Sequence, residues 1–209
     1  MYIIDIGANR GFFTDKCISL FDNNLKMLVI EANPQLSELL VNKYIDNKNI
    51  TVLNTLMSEI NDKEVDFYLC DSDIISTASL DWINNSRFSN KGSIWYEPLK
   101  IKSTSLDYLI NIYGEADVIK IDVEGYELEV LKGLTKKTKE ICFEWAEEQY
   151  DNINEIAKHL ESLGYNEFGY ILGDEYMKRP SIYTTWIQSE FHNNINPNRK
   201  ETWGMIWVK

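Results

Sequence analysis

The segment Ile3-Ile4-Asp5-Ile6-Gly7-Ala8-Asn9-Arg10-Gly11 decides the fold. Its first part is short and apolar, as a buried parallel strand is, and its two glycines allow the chain to turn tightly. A second apolar run, 27–30, ends about twenty residues further on in an acid, Glu31. A strand, a glycine loop, a helix and a downstream acid form the unit with which a doubly wound sheet binds a nucleoside.

The acid Asp5, directly before the loop, indicates which nucleoside is bound. In a dinucleotide site this loop contacts a pyrophosphate, which a carboxylate repels at close range. S-adenosylmethionine has no phosphate, and its sulfonium and ammonium groups are attracted by an acid. The charge pattern therefore favours a methyl donor over NAD, whose loop also needs a third glycine where Phe13-Thr14 stands.

Composition bounds the class of protein. The chain has 209 residues, 44% of them hydrophobic and 26% charged, which is enough for one α/β domain over residues 1–209. A net charge of −12 argues against nucleic acid as a partner, because that partner needs clustered Lys and Arg. No apolar run reaches the roughly 18 residues of a membrane span, and we see no signal peptide. Cys17, Cys70 and Cys142 follow no metal-ligand pattern, so we expect buried free thiols and a cytoplasmic location.

Strands and helices alternate along the chain, which predicts a mostly parallel sheet. Helices are expected after Gly11, from Pro34, from Ser105 with Ser103 or Thr104 as its cap, after Gly125, and up to Gly164. Strands are expected at 2–6, 26–30, 50–56, 117–122, 140–145, 165–172 and 203–208. Two segments with a period of two, 64–69 and 99–102, are expected to be antiparallel or edge strands.

The polar segment 71–98 lies between these two strands. A loop of this length in a compact domain is typically a lid or binding loop, or else disordered. Its aromatic residues, among them Trp82, Trp95 and Tyr96, have two interpretations: they stack against a sugar ring, or they only pack the loop.

Acids stand at the ends of four predicted strands, namely Asp5, Glu31, Asp122 and Glu144. Ligands of an open parallel sheet bind beyond the carboxyl ends of its strands, so these acids are expected to surround one ligand. Glu31 is expected to accept hydrogen bonds from two ribose hydroxyls.

Two residues near Asp122 also have an interpretation without any role in the chemistry. Glu124 either acts in the chemistry or caps the helix that follows Gly125, where a carboxylate suits the helix dipole. Lys120 is interpreted as an edge residue whose ammonium group reaches solvent.

The motifs, in this order, resemble the FkbM family of S-adenosylmethionine-dependent methyltransferases. They are 5–12, 31–34, 54–59 with 65–68, 103–107 and, as the most specific, Ile119-Lys120-Ile121-Asp122-Val123-Glu124-Gly125-Tyr126-Glu127. The resemblance implies the class I methyltransferase fold: a Rossmann-like, seven-stranded, mostly parallel sheet with helices on both faces. The last strand is then antiparallel, and an extra β-hairpin follows the third strand.

The resemblance also implies a cofactor, an acceptor and a site. The cofactor is S-adenosyl-L-methionine, and the acceptor is a hydroxyl of a sugar, glycan or related small metabolite. The predicted cofactor-binding residues are Asp5, Gly7, Ala8, Asn9, Gly11, Phe12, Glu31, Ala32, Asn33, Thr55, Leu56 and Asp122.

The predicted catalytic residues are Asp122, Glu124 and Glu144, because a hydroxyl acceptor needs a base for its proton. No metal is predicted. An analogy with catechol-type methyltransferases nevertheless offers Asp122 and Glu144 as ligands of a hard cation. A loop histidine, His192, has two interpretations: it is a further candidate base, or it is a loop residue without a catalytic role.

Members of the family usually begin with helices ahead of the first motif, whereas Met1 lies almost at the first strand here. We expect the pocket to be open or to be covered by segment 71–98 or by a second copy of the chain. A methyltransferase-like binding or scaffold module without turnover is the alternative function, and an NAD-linked oxidoreductase is a third.

Overall fold

A computed structural model describes residues 1–89, 91–175, 177–187 and 202–209. The strands are β1 (Tyr2–Ile6), β2 (Lys26–Glu31), β3 (Ile50–Asn54), β4 (Leu56–Met57), β5 (Glu64–Phe67), β6 (Leu99–Thr104), β7 (Val118–Ile121), β8 (Ile141–Ala146), β9 (Phe168–Leu172) and β10 (Trp203–Val208). The α-helices are α1 (Phe12–Phe21), α2 (Pro34–Lys43), α3 (Leu80–Asn85), α4 (Leu106–Tyr113), α5 (Glu127–Lys132) and α6 (Tyr150–Ser162).

Seven strands form the central sheet in the order β3-β2-β1-β7-β8-β10-β9. The first five strands in this order are parallel, whereas β10 is antiparallel to both of its neighbours. The strand order reverses between β1 and β7, and ligands of such sheets bind beyond the strand ends at this point. The predicted sheet with its antiparallel last strand is confirmed.

Apolar side chains cover both faces of the sheet. Along β1, Ile4 and Ile6 belong to one buried cluster and Ile3 to the other, since successive side chains of a strand point to opposite faces. A short apolar strand without polar alternation is what a parallel sheet with two covered faces requires.

A second, three-stranded sheet has the order β4-β6-β5. The antiparallel pairing of β5 with β6 confirms the predicted extra strand pair, and β4 pairs with β6 in parallel. The single strand predicted at 50–56 was wrong, because the chain leaves the central sheet after Asn54. The Asn54 side-chain amide donates to the carbonyl oxygens of Glu31 (2.8 Å) and Ala32 (3.2 Å), and the next residues then join the second sheet.

Segment 71–98, described except for residue 90, contains a short 3-10 helix (Asp73–Ile75) and α3. Trp82 is buried, in edge contact with Phe88. A side chain at Gly125 would place its Cβ 2.9 Å from the Cβ of Trp82, so only glycine fits there. The indole N–H of Trp95 donates to the carbonyl oxygen of Ile75 at 3.1 Å. These two aromatic residues therefore pack the segment itself.

Helix ends follow local hydrogen bonding. The predicted caps of α4, Ser103 and Thr104, lie in β6, and Ser105 is the cap instead. Its hydroxyl accepts from the backbone N–H of Tyr108 at 3.3 Å. Gly164 follows the last turn of α6 with a φ of 96°, as predicted for a helix end.

The three cysteines are buried and unpaired, as predicted. Burial, followed by the charge of Asp5, raises the pKa of the Cys17 thiol to about 12. Within the described ranges, no helix has the length and apolar character that a bilayer crossing requires.

Candidate active site

A cavity of about 280 Å³ opens at the carboxyl ends of β1, β2 and β7. All three predicted catalytic residues and most of the predicted cofactor-binding residues line it. The residues concerned are Gly7, Ala8, Asn9, Phe12, Glu31, Ala32, Thr55, Leu56, Asp122, Glu124 and Glu144.

Gly7 lies where the ends of β1 and β7 approach each other most closely. Its φ is 73°, and a Cβ built on it would lie 1.8 Å from the carbonyl oxygen of Asp122. The backbone N–H of Asp122 in turn donates to the carbonyl oxygen of Ile6 at 3.1 Å. Glycine is required here because any side chain would push the glycine loop away from Asp122.

Glu31 is buried at the end of β2, and its carboxylate organises the loops around it. One oxygen accepts from the backbone N–H of Asn9 (2.7 Å), and the other accepts from that of Asn33 (2.8 Å). Burial raises the pKa of Glu31, and these two hydrogen bonds oppose the rise. Each oxygen has further lone-pair capacity, which suits a pair of adjacent hydroxyl donors.

Three residues predicted to bind the cofactor do not line the cavity. Asp5 is completely buried behind the loop, where the Thr14 hydroxyl donates to its carboxylate at 2.7 Å. The Gly11 carbonyl accepts from the Tyr44 hydroxyl at 3.0 Å. Asn33 is the N-cap of α2. The sequence expectation of a direct contact between Asp5 and the cofactor is therefore corrected: all three residues shape the loops that form the cavity.

Lys120 is not an edge residue with its ammonium in solvent, because only 4% of its surface is exposed. Its ammonium lies 3.4 Å from a carboxylate oxygen of Asp5 and 3.2 Å from one of Asp122. It also donates to the carbonyl oxygen of Gly7 at 3.2 Å. Burial by itself would lower the pKa of Lys120, but the charges of Asp122 and Asp5 outweigh it and raise the pKa.

Asp122, Glu124 and Glu144 form a cluster in which carboxylate oxygens of the three residues lie within 4.8 Å of one another. Burial, followed by the charge of Asp122, raises the pKa of both Glu124 and Glu144 well above its ordinary value. Among the residues that the structure describes, neither glutamate side chain has a hydrogen-bond partner. The cluster is able to take a proton, and its oxygens also suit a hard cation.

The loop after β7 holds Glu124 in an uncommon conformation. Its φ is 55°, in the left-handed region that residues other than glycine rarely adopt. The Glu127 carboxylate accepts from the backbone N–H groups of Val123 (2.9 Å) and Gly125 (3.4 Å), and the Thr77 hydroxyl donates to the Glu124 carbonyl at 2.7 Å. Glu127 thus makes the loop contacts that the helix-cap interpretation gave to Glu124.

Segment 71–98 contacts the glycine loop through Asp73. The carbonyl oxygen of Asp73 accepts from the Asn9 side-chain amide at 3.0 Å, and its carboxylate forms an ion pair with Arg10. Ile74, like Phe12 on the opposite loop, lines the cavity and is 57% exposed. One side of the cavity is therefore built from this segment.

Some lining residues were not predicted. Asp174 follows β9 in a stretch without any motif, and Trp203 begins β10. Met57 and Tyr126 lie within the motifs 54–59 and 119–127, and membership of these motifs was the available signal. The candidate base His192 lies outside the described residues.

The strand order, with a cavity at the ends of β1, β2 and β7, defines a class I, Rossmann-like methyltransferase fold. The Methyltransferase FkbM domain matches residues 5–171, and the chain belongs to this family. Its cofactor is S-adenosylmethionine.

Solved structures share this fold. Methyltransferase FkbM from Methylobacillus flagellatus KT is 17% identical, with a TM-score of 0.58 over 100% of this chain and 43% of that one. Fibrillarin from Aeropyrum pernix, crystallised with natively bound S-adenosyl-L-methionine, is 10% identical, with a TM-score of 0.50 over 100% of this chain and 66% of that one. This chain therefore spans less than two thirds of either relative. A comparison with curated proteins gives no significant match.

The cavity fits S-adenosylmethionine by its donor set. Glu31 offers carboxylate oxygens for ribose hydroxyls, while Ile30, Ala32 and Leu56 offer apolar surface for an adenine ring. Six carboxylate residues line the cavity, which suits a cationic ligand. Lys120 is the one Lys, Arg or His that lines it in the described part of the chain, which is a poor set for a pyrophosphate.

Proposed function

We propose that this chain is an O-methyltransferase that transfers the methyl group of S-adenosylmethionine to a hydroxyl of a sugar, glycan or related small metabolite. The observation that carries the proposal is the cluster of Asp122, Glu124 and Glu144 beside the glycine loop. A hydroxyl is a weak nucleophile until it loses its proton, and this cluster supplies carboxylates of raised pKa for that purpose. The sugar or glycan class rests on the family resemblance.

Each group has a role in the proposed mechanism. S-adenosylmethionine, when bound, supplies an electrophilic methyl group with a good leaving group. Glu31 would hold the ribose hydroxyls, and the loop containing Gly7 would form part of the wall around the ligand. Glu144 or Glu124 takes the acceptor proton, and segment 71–98 keeps water from the reacting groups. The cluster thus lowers the barrier by proton removal, and the loops lower it by alignment.

Two measurements test the proposal in order. Titration calorimetry with S-adenosylmethionine, S-adenosylhomocysteine and NAD is expected to show binding of the first two only. Incubation with methyl-labelled S-adenosylmethionine and a panel of free sugars, glycosides and oligosaccharides is then expected to give an O-methylated product. Binding without transfer to any hydroxyl acceptor would favour the binding or scaffold module instead.

The catalytic assignment is tested by Glu124→Gln and Glu144→Gln. Each variant is expected to bind S-adenosylhomocysteine with less than about threefold change, while turnover falls about 10²- to 10⁴-fold for the residue that takes the proton. Unchanged turnover in both variants would refute the role of the cluster.

A second copy of the chain as a partner, and a cytoplasmic location, remain predictions from the sequence.

A further inference from the structure

We propose that Lys120 is a positioning residue of the cofactor site. Its ammonium group holds the glycine loop and Asp122 together, and it limits the negative charge that bound S-adenosylmethionine meets. The proposal rests on the cofactor site described above. It assigns a role to a residue whose sequence context predicts only a surface lysine.

The geometry places Lys120 between two strands and a loop. β1 and β7 pair in a register that sets Asp5 opposite Lys120. From this position the ammonium contacts the carboxylates of Asp5 and Asp122 and the carbonyl oxygen of Gly7, with distances of 3.2 to 3.4 Å. It also lies 5.6 Å from the centre of the Phe13 ring. One cation therefore links the start of the first motif to the first half of the most specific one.

Burial shows that solvent does not compete for these contacts. The side chain of Lys120 is 5% exposed and that of Asp5 is 0% exposed. A buried carboxylate without its partner is strongly destabilising, so Asp5 and Lys120 depend on each other. Asp122 is different because its side chain is 24% exposed and lines the cavity. Lys120 thus neutralises a buried charge in the core by pairing with Asp5, and it offsets negative charge in the cavity wall by pairing with Asp122.

Charge gives the lysine a second effect. The zwitterionic amino acid part contributes no net charge to either ligand, so S-adenosylmethionine carries one net positive charge and S-adenosylhomocysteine carries none. Removing Lys120 makes the cavity wall more negative by one charge, which favours the cationic ligand over the neutral one. Loss of the contact with Gly7 weakens both ligands equally, because both meet the same glycine loop. The ratio of the two affinities therefore separates the two effects.

The test compares Lys120→Met and Lys120→Arg with the unaltered protein. Met keeps an unbranched chain without charge, and Arg keeps the charge. Lys120→Met is expected to bind S-adenosylhomocysteine about tenfold more weakly and to shift the affinity ratio at least about threefold towards S-adenosylmethionine. Lys120→Arg is expected to leave the ratio unchanged within about twofold. Lys139→Met is the matched control, since Lys139 pairs with Asp117 on the exposed surface, and it is expected to change neither affinity.

A second pair of variants covers failure of Lys120→Met to fold. Asp5→Asn/Lys120→Met lacks the uncompensated buried carboxylate, and it is compared with Asp5→Asn, which differs only at Lys120. The ratio shift between these two variants is expected to match that of the single substitution. Two outcomes would overturn the proposal and leave Lys120 as only a structural partner of Asp5. One is an equal ratio of the two ligand affinities in Asp5→Asn and Asp5→Asn/Lys120→Met. The other is an equal shift of this ratio in Lys120→Arg and Lys120→Met. Absence of binding of either ligand to the unaltered protein would overturn the cofactor site as well.

Discussion

Glu144 lies within the buried strand β8, two residues before its end, where burial and the charge of Asp122 both act against its ionised form. A carboxyl group whose pKa is higher in the folded than in the unfolded chain stabilises the fold at low pH. This contribution is lost as the pH rises through the folded-state pKa. The stability of the protein without ligand is therefore expected to fall between about pH 4.5 and the neutral range, in part because of Glu144 and Glu124.

Glu144→Gln is expected to remove its share of this loss. At pH 8 the variant should melt a few degrees higher than the unaltered protein, since each kcal/mol added to the free energy of unfolding raises the melting temperature by roughly 2–4 °C. At pH 4.5 the two proteins should melt at about the same temperature. Scanning calorimetry at the two pH values measures the difference. Glu155→Gln on the exposed surface of α6 serves as control. A variant that is less stable than the unaltered protein at pH 8 would contradict the raised pKa of Glu144.

The rate of methyl transfer is expected to rise with pH for the same physical reason. The base acts only when it is ionised, and the pKa values of Glu124 and Glu144 lie above the ordinary carboxyl range. Because the two groups interact, the apparent pKa of the rate profile belongs to the pair. A profile of kcat against pH that is flat from pH 5 to pH 8 would be incompatible with either glutamate as the base.

Activity is expected to survive EDTA. The acidic cluster offers oxygens to a hard cation, but Lys120 already provides a positive charge 3.2 Å from Asp122. A divalent cation at Asp122 would have to compete with this ammonium at close range. The measurement is turnover with 5 mM EDTA (about a hundredfold excess over protein) and after addition of Mg²⁺, with Ca²⁺ as comparison. Loss of turnover that Mg²⁺ restores would show that the cluster is a metal site.

Lys120 also shows what the sequence could not provide at the scale of single residues. Glu31, Asp122 and Glu144 were predictable because acids near the carboxyl ends of apolar strands lie at the ligand edge of a parallel sheet. Glu31 is the last residue of β2, Asp122 follows β7, and Glu144 lies two residues before the end of β8. The contacts of Lys120 depend on β1 lying beside β7, and more than 100 residues separate Asp5 from Lys120 along the chain. No local sequence pattern indicates this pairing. The prediction that the ammonium group of Lys120 reaches solvent was therefore wrong.

Among elements, the parallel strands and their helices were predictable, because a short apolar run bounded by glycine is typical of a buried parallel strand. The run 50–56 was read as one strand because its apolar residues continue through Leu56. Asn54 ends the pairing by donating to backbone carbonyls, and such a contact is visible only in three dimensions. The helix α3 was missed in the same way, since its six residues are too few to show a clear periodicity.

Segment 71–98 is expected to control the exit of the ligand. Asp73→Ala removes the ion pair with Arg10, which is partly exposed and therefore contributes little to overall stability. Dissociation of S-adenosylhomocysteine, followed by stopped-flow displacement, is expected to accelerate about two- to fivefold, with the melting temperature nearly unchanged. Asp81→Ala, on the exposed side of α3, is the control and should leave the rate unaltered. Equal dissociation rates in the two variants would mean that Asp73 does not hold the segment closed.

At the scale of the whole molecule, acidic residues outnumber basic ones both in the chain and along the cavity wall. The net charge is −12, and carboxylates outnumber the single described cation along the cavity wall. Asp5 does not supply this negative charge as the sequence predicts, because Lys120 offsets the charge of Asp5. The negative field that a cationic ligand meets comes instead from residues spread over several strand ends and from segment 71–98, among them Glu31, Asp73 and Asp174.

This distribution predicts how the ligand stabilises the fold as a whole. The cavity walls come from β1, β2, β7, β8, β10 and segment 71–98, so a bound ligand links elements that are distant along the chain. S-adenosylhomocysteine at a hundred times its Kd is expected to add about 2.7 kcal/mol to the free energy of unfolding. The melting temperature should then rise by roughly 5–10 °C. Glu31→Ala is expected to abolish the rise, because it removes the carboxylate that holds both loops and that we propose binds the ribose. NAD at the same concentration should leave the melting temperature unchanged; a comparable rise with NAD would show that the cavity does not discriminate by charge.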